Sequence, residues 1–155
     1  MSLMFKKAWV LKWALNLWPP ILFAGIRIVE LSADYRYARV ELRMRPWNKN
    51  AVGAHFGGSL FAMTDPMYML MLMANFHGDY YVWDKMADID YVKPGFGTLS
   101  AEFNLTEGLL EQIKHNTRDG SKYLPVLPVL VKDRDGEVVA KLNRTLYLRK
   151  KKPKK

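Results

Sequence analysis

The chain of 155 residues contains no cysteine. That excludes disulfides, thiolate nucleophiles and cysteine-based metal sites, and it leaves the redox compartment unspecified. Histidine is scarce. His55, His77 and His115 are the only three, and none is spaced as H-x-x-x-H or H-E-x-x-H. No histidine-held metal and no cofactor is therefore expected. Acidic residues are outnumbered, 15 against 24 basic, for a formal charge of +9. Arg149, Lys150, Lys151, Lys152, Lys154 and Lys155 supply six of those charges and leave +3 for the rest of the chain. The basic run has no interleaved aromatics, so residues 150–155 are expected to form a solvated tail that contacts no nucleic acid and can be removed without loss of folding. No apolar run is long enough to cross a bilayer, and the first residues lack the small-residue cleavage site of a signal peptide.

Half of the residues are hydrophobic, enough for a sizeable core in one domain. Residues 3–18 read as a helix, with Leu3, Met4, Trp9, Leu11, Trp13, Leu15 and Trp18 apolar and Lys6, Lys7 and Lys12 breaking the run; Pro19-Pro20 stops it. Two roles stay open for it: packing on the domain or a partner subunit, and lying on a membrane surface through its tryptophans and lysines. Residues 26–31 predict a strand. Tyr37 to Arg45 alternates, with Ala38, Val40, Leu42 and Met44 facing inward and Arg39, Glu41, Arg43 and Arg45 forming a solvated face. Tyr80 to Val92 is extended, and Asp84, Asp88 and Asp90 share a parity there, as a wet face or a cation site would. Leu99 to Leu105 is a further strand. Thr106 caps a short helix with Glu107 and Glu111 early and Lys114, His115 and Arg118 late, complementing its dipole. Tyr123 to Lys132 and Val138 to Leu148 pair across the turn Asp133-Arg134-Asp135-Gly136, with Pro125 and Pro128 predicting an edge or a bulge in the first.

The chain is organised around Asn48 to Phe76. It opens as a polar loop, passes Gly57-Gly58, and becomes a helix apolar on almost every face: Leu60, Phe61, Met63, Met67, Met69, Leu70, Met71, Leu72, Met73. Such a helix is buried on all sides. It nonetheless carries one carboxylate, Asp65, and a buried Asp is paired or used. Six antiparallel strands and one very apolar helix imply an α+β domain whose sheet wraps around that helix.

The stretch from Asn50 to about Phe103 resembles the hotdog-fold acyl-CoA thioesterase superfamily. Its phenylacetate-pathway branch has an Asn, five residues, then His-Gly-Gly, then an acid seven residues after the second Gly. Here Asn50 stands six before Phe56, Gly57-Gly58 follow, and Asp65 lies seven beyond Gly58. The branch's apolar-Arg-Pro-Gly-Phe strand end has its counterpart in I-D-Y-V-K-P-G-F, from Ile89 to Phe96. Phe56 stands where the branch has histidine, and His55 lies one position earlier; that substitution is typical of a neighbouring branch of tetrameric acyl-CoA thioesterases. The resemblance implies a hotdog domain over residues 21–149 with residues 1–20 as an added N-terminal helix, a cytoplasmic homo-oligomer (a dimer or a dimer of dimers), an acyl-CoA or acyl-carrier substrate, and an active site at a subunit interface where the acid meets the partner's glycines.

In that chemistry Gly57 and Gly58 suit an oxyanion hole, Asp65 a general base or nucleophile, and Asn50 a group that holds water or thioester. Phe56, Phe61 and Met69 are the expected acyl-binding side chains. Each has a plainer reading. Asp65-Pro66 can cap a restarted helix, the glycines can make a tight turn, and the methionines can be core. Two other functions stand beside hydrolysis: a non-catalytic acyl-thioester binder, suggested by Phe56, and a structural module docking to membranes.

Overall fold

A computed structural model describes residues 7–152. Its elements are α1 (Ala8–Leu17), α2 (Pro19–Phe23), β1 (Ile26–Leu31), β2 (Tyr37–Arg43), α3 (Gly57–Ala62), α4 (Met67–Asn75), β3 (Tyr80–Tyr91), β4 (Thr98–Asn104), α5 (Glu107–Asn116), β5 (Lys122–Tyr123), β6 (Val126–Lys132) and β7 (Val138–Lys150), with a 3₁₀ turn at Pro46–Asn48. The seven strands make one antiparallel sheet in the order β1-β2-β4-β6-β7-β3, with β5 also on β7. Inward residues of the sheet, among them Val40, Leu42, Leu99, Phe103, Val129, Leu142 and Leu146, are buried together with Leu60, Met63, Met67, Met71 and Leu72 of the central helices. Tyr68 and Phe103 meet edge to face, with centroids 5.1 Å apart. This is the sheet wrapped around an apolar helix that the pattern implies.

Local chemistry modifies the expected elements. The strand predicted over Tyr123 to Lys132 is two strands, broken at Leu124-Pro125, and both pair with β7. That turns the expected six strands into seven. Proline has no N–H to give a ladder, and the Pro125 carbonyl still accepts the Leu146 N–H at 3.1 Å. Beyond the break β6 pairs with β4 only at Val131 and Lys132, so Pro128 lies where that side has no strand. Thr106 caps α5 as predicted, its hydroxyl accepting the Leu109 N–H at 3.2 Å.

At the N-terminal side α1 ends at Leu17, before the two prolines, but Pro19 opens α2 at once. Residues 3–6 of the predicted helix lie outside the described residues. Ala8, Leu11 and Leu15 are buried, so one face of α1 packs on the domain. The Asn16 side chain takes the Ile28 N–H at 2.8 Å and gives to the Ile28 carbonyl at 3.0 Å, while Lys12 Nζ gives to the Val29 carbonyl. These bonds occupy part of the free edge of β1, a place where an unpaired strand would otherwise invite aggregation.

At the other end, β7 takes in the first lysine of the run read as tail. Lys150 pairs with Tyr80, the Lys151 N–H reaches the Asp79 carbonyl at 2.9 Å, and Lys151 Nζ bonds the Gly78 carbonyl at 2.7 Å. Cutting before Lys150 therefore removes sheet bonds, contrary to the expectation from composition. Residues 153–155 of that run are not among the described ones.

Candidate functional site

The stretch Asn48 to Phe56 is held by its own polar groups. Asn48 is buried: its Oδ1 accepts the Arg45 N–H, and its Nδ2 gives to the Ala24 and Arg43 carbonyls. Asn50 Oδ1 accepts the Val52 and Ala54 N–H groups, and its Nδ2 gives to the His55 carbonyl at 3.3 Å. This side chain builds the turn that delivers the glycines. His55 is also buried. Its N–H bonds the Gly95 carbonyl at 2.9 Å and its ring bonds the Gly97 carbonyl at 2.8 Å. A carbonyl only accepts, so Nε2 carries the proton and Nδ1 is bare, without a partner among the described residues. The K-P-G-F segment and His55 are thus two halves of one clasp.

Burial pushes the His55 imidazole below its ordinary value, against the pull of the Gly97 carbonyl. The folded protein then binds a proton less readily than the unfolded chain. Stability from this group is complete above the unfolded value of about 6.5 and is lost as pH falls below it. His55→Gln is expected to flatten the dependence of the urea midpoint on pH between about 5 and 7; an unchanged slope would show that another group sets it.

Phe56 sits at the N-cap of α3 and gives no side-chain cap. The N–H groups of Gly57 and Gly58 have no acceptor among the described residues. Two free donors therefore stand at the start of a helix whose six residues supply little dipole. A Cβ on Gly57 would come within 2.9 Å of the Tyr91 hydroxyl, which itself gives to the Gly57 carbonyl at 3.1 Å. A Cβ on Gly58 would run into the ring of Phe56, an exposed side chain. Gly58→Ala therefore displaces Phe56 whatever the glycine does, and cannot by itself separate a helix start from an oxyanion hole.

The central helix is not continuous. Pro66 offers no N–H to the Ala62 carbonyl, which takes the Asp65 N–H at 3.2 Å instead, and α4 begins at Met67. Pro66, not Asp65, is the N-cap of α4, and it carries no side-chain cap bond. The capping alternative for Asp65 does not hold. Its carboxylate turns to Arg144 of β7, through Oδ1. Arg144 is buried, and its Nε and Nη2 also bond Asp84 Oδ1 at 3.2 and 3.0 Å. The Phe61 ring lies 5.3 Å from the guanidinium carbon. One arginine thus ties the helix break to β3 and β7. Asp65 keeps 48% of its side chain exposed, and its Oδ2 has no hydrogen bond among the described residues.

The helix pair is not buried on all sides, as its composition implies. Phe61, Asp65, Met69, Leu70 and Met73 are half-exposed and recur at helical spacing. This strip is the uncovered side of the core within one chain.

Sequence parity misplaced one acid. A bulge in β3 shifts the register between Asp84 and Met86. Asp84 therefore lies opposite Leu146 on the inward face, while Asp88 and Asp90 lie opposite Asn143 and Lys141 on the outward one. The three do not converge, and no group of acids or histidines among the described residues is placed to hold a metal. Burial pushes the Asp84 carboxyl above its usual range, the nearby charge of Asp65 adds to the rise, and Arg144 opposes both. Sequence reasoning also missed Arg144. The signal was present: it shares parity with Ala140, Leu142, Leu146 and Leu148, so a charge sits on a core face.

On the outer face of the sheet, Arg39 and Arg43 both pair with Glu41, at 2.9 and 2.8 Å, which supports the solvated-face reading. They line, with Ser100, Asp133 and Arg134, a polar groove of about 460 Å³. Neither this groove nor a second one beside Lys93 and Phe96 is lined by Gly57, Gly58 or Asp65.

Comparison with solved structures shows the same architecture. A Pseudomonas aeruginosa protein of unknown function, described as a probable thioesterase, superposes with a TM-score of 0.73 at 23% identity, over 91% of this chain and 96% of its own. A thioesterase from Haemophilus influenzae gives 0.67 at 13% identity, over 92% and 90% of the two chains. The E. coli PaaI protein, from the phenylacetic acid degradation operon, gives 0.62 at 16% identity, over 96% of each. At these identities the likeness establishes the hotdog fold. No curated protein sequence matches the chain. No helix among the described residues is long and apolar enough to cross a membrane. A family model does match, across residues 7–148, and the chain belongs to that family, described as a domain of unknown function, DUF4442.

Proposed function

We propose that this protein is a thioester hydrolase acting on acyl-CoA or acyl-carrier thioesters, with its active site completed between two copies of the chain. The observation that carries this is Asp65: a half-exposed carboxylate, clamped by a buried arginine, on a partly exposed strip of an apolar helix pair. The thioesterase descriptions of the P. aeruginosa and H. influenzae structures support the reading.

The geometry also supports an interface site. Gly57 is anchored beside Tyr91, which pairs with Ala140; Asp65 is anchored at Arg144. Four residues of β7 separate those anchors, roughly 13 Å. The acid and the glycines of one chain are thus held at different places along β7, and a partner's glycines offer the complementary half. Beyond its pairing with β7, strand β3 has no neighbour on its other side among the described residues. Its exposed Tyr81, Trp83, Met86 and Tyr91 support a homodimer or a dimer of dimers.

In the proposed reaction the thioester carbonyl oxygen accepts the free N–H groups of Gly57 and Gly58. Each such donor is typically worth roughly 3–4 kcal/mol in the transition state. Asp65 Oδ2 takes a proton from water as that water attacks the carbonyl carbon; the C–S bond breaks, the thiolate leaves with that proton, and the carboxylic acid is released. In the nucleophilic alternative Asp65 attacks the carbon itself, the C–S bond breaks and the thiolate leaves. A water then hydrolyses the acyl-Asp65 anhydride, giving the carboxylic acid, a proton for the thiolate and the free Asp65 carboxylate. Asn50 shapes the loop that presents the donors. Phe61, Met69, Leu70 and Met73 offer an apolar, adaptable wall for the acyl group.

One observation favours a second reading, an acyl-thioester binder without turnover. Phe56, 57% exposed, lays an apolar ring over Gly58 where the resembling branch has histidine. A hydrolysis screen over acyl-CoAs of varied length and aromaticity tests both, with thiol release expected for at least one. Binding of an acyl-CoA with no release would favour the second reading. A monomer by light scattering at micromolar concentration would rule out the interface site.

A further inference from the structure

We infer that the outer face of α1 and α2, together with Trp47, docks on the surface of an anionic lipid bilayer. This is independent of the proposed hydrolysis. Leu11 and Leu15 hold α1 to the domain, and the opposite stripe of the helix is left bare: Trp9 is 61% exposed, Trp13 58% and Leu17 65%. The positions are successive steps of four, so they lie in a line along one helix face. Trp18, Leu22 and Phe23 continue the exposure through α2. Trp47 extends it: its indole N–H gives to the Phe23 carbonyl at 2.8 Å, while its ring stays 67% exposed. Monomer surfaces seldom carry so many contiguous large apolar side chains without a use.

Charge selects the occupant. No Asp or Glu occurs in the first 29 residues, nor from Leu42 to Thr64. Those two segments carry Lys7, Lys12, Arg45 and Lys49 among the described residues, besides Arg27 and Arg43, which Glu41 meets on the sheet. A second copy using this face symmetrically would set Lys7, Lys12, Arg45 and Lys49 against their own counterparts, bringing like charges together. An anionic bilayer complements it instead. Tryptophan suits the bilayer interface because one end of its ring system is apolar and the other donates a hydrogen bond. At ten residues α1 is too short to span the hydrocarbon core, so the fit is to lie in the headgroup plane with aromatics inward.

The test is sedimentation of the full chain with vesicles of phosphatidylcholine alone and of phosphatidylcholine with phosphatidylserine. Binding is expected to the second kind, to weaken as salt is raised, and to shift tryptophan emission to the blue. The combined variant Trp9→Ser, Trp13→Ser, Phe23→Ser alters only exposed side chains and is expected to keep the wild-type melting temperature. It should bind at least about tenfold more weakly. Lys7→Glu with Lys49→Glu should weaken binding to the anionic vesicles as well. The control Val126→Ser with Leu130→Ser, which removes exposed apolar groups from β6, should bind like wild type. The inference is overturned if the wild type ignores phosphatidylserine vesicles, or if the triple variant binds them unchanged. It is equally overturned if the triple variant dissociates an oligomer by light scattering while vesicle binding persists, because the face would then belong to a second copy.

Discussion

Replacing Asp65 by asparagine is expected to cut thioester turnover by roughly 10²-fold or more, as loss of a general base does. Stability should change by no more than about 1 kcal/mol, because the carboxylate is half-exposed and its pair with Arg144 is partly screened. Arg144 keeps Asp84 as a partner in this variant. Asp65→Ala should behave similarly. No loss of helix capping is expected from it, since Pro66 occupies the N-cap of α4. Mixing supplies the sharper measurement. Chains carrying Asp65→Asn and chains carrying Gly58→Val would each be inactive alone. In a mixed dimer with shared sites, one site collects both defects and the other none. Co-refolding the two should therefore restore part of the activity, whereas a site built within one chain would restore nothing. Full turnover by Asp65→Asn, on a substrate the wild type hydrolyses, would falsify the catalytic assignment.

Arg144→Met should produce the largest change in stability. The methionine fills most of the volume but leaves the Asp84 carboxylate on the inward face of β3 without its cation. Breaking a buried pair by removing one member costs about 3–5 kcal/mol, and the lower end applies here because Asp84 and Asp65 both keep some access to water. A loss of about 3 kcal/mol corresponds to a melting temperature lower by roughly 6–12 °C for a chain of this size. The pH dependence has a definite sign. Burial already raises the Asp84 carboxyl, and losing Arg144 raises it further. A raised carboxyl contributes stability at low pH that is lost as pH rises through its folded value. The deficit of Arg144→Met should therefore shrink on going from neutral pH to about pH 4.5. Adding Asp84→Asn should recover a good part of it, since a neutral amide is cheaper to leave unpaired. Equal urea midpoints for Arg144→Met and wild type at neutral pH would show that water alone satisfies both acids.

The elements of this protein were legible in its sequence wherever their cause is local. Alternation over Tyr37 to Arg43, the Thr106 cap with its charge gradient and the helix stop before Pro19-Pro20 all follow from backbone geometry and neighbours a few residues away. So does the wrapped sheet, because an apolar run such as Met67 to Leu72 can only be satisfied inside one. The spacing of Asn50, Gly57, Gly58 and Asp65 was enough to place the chain near the hotdog superfamily.

Pairings across long separations were not legible. Asp65 meets Arg144 from 79 residues away, and no local pattern announces which of several basic residues reaches it. That meeting decides against the cap. A single bulge at Lys85 moves Asp84 to the inward face, because a strand's side chains alternate with period two and one extra residue reverses everything before it. Asn50 looked like chemistry by type, and His55 stood one position before the place of the resembling branch's histidine. Tertiary structure spends their polar groups on the loop and on the clasp to Gly95 and Gly97, since buried donors and acceptors are satisfied by whatever backbone the fold brings near. Composition could say that the helix pair is apolar and the first helix rich in tryptophan. Which faces remain uncovered, the Phe61 to Met73 strip and the Trp9 to Phe23 stripe, is set by where the sheet ends, and that is a property of the folded chain alone.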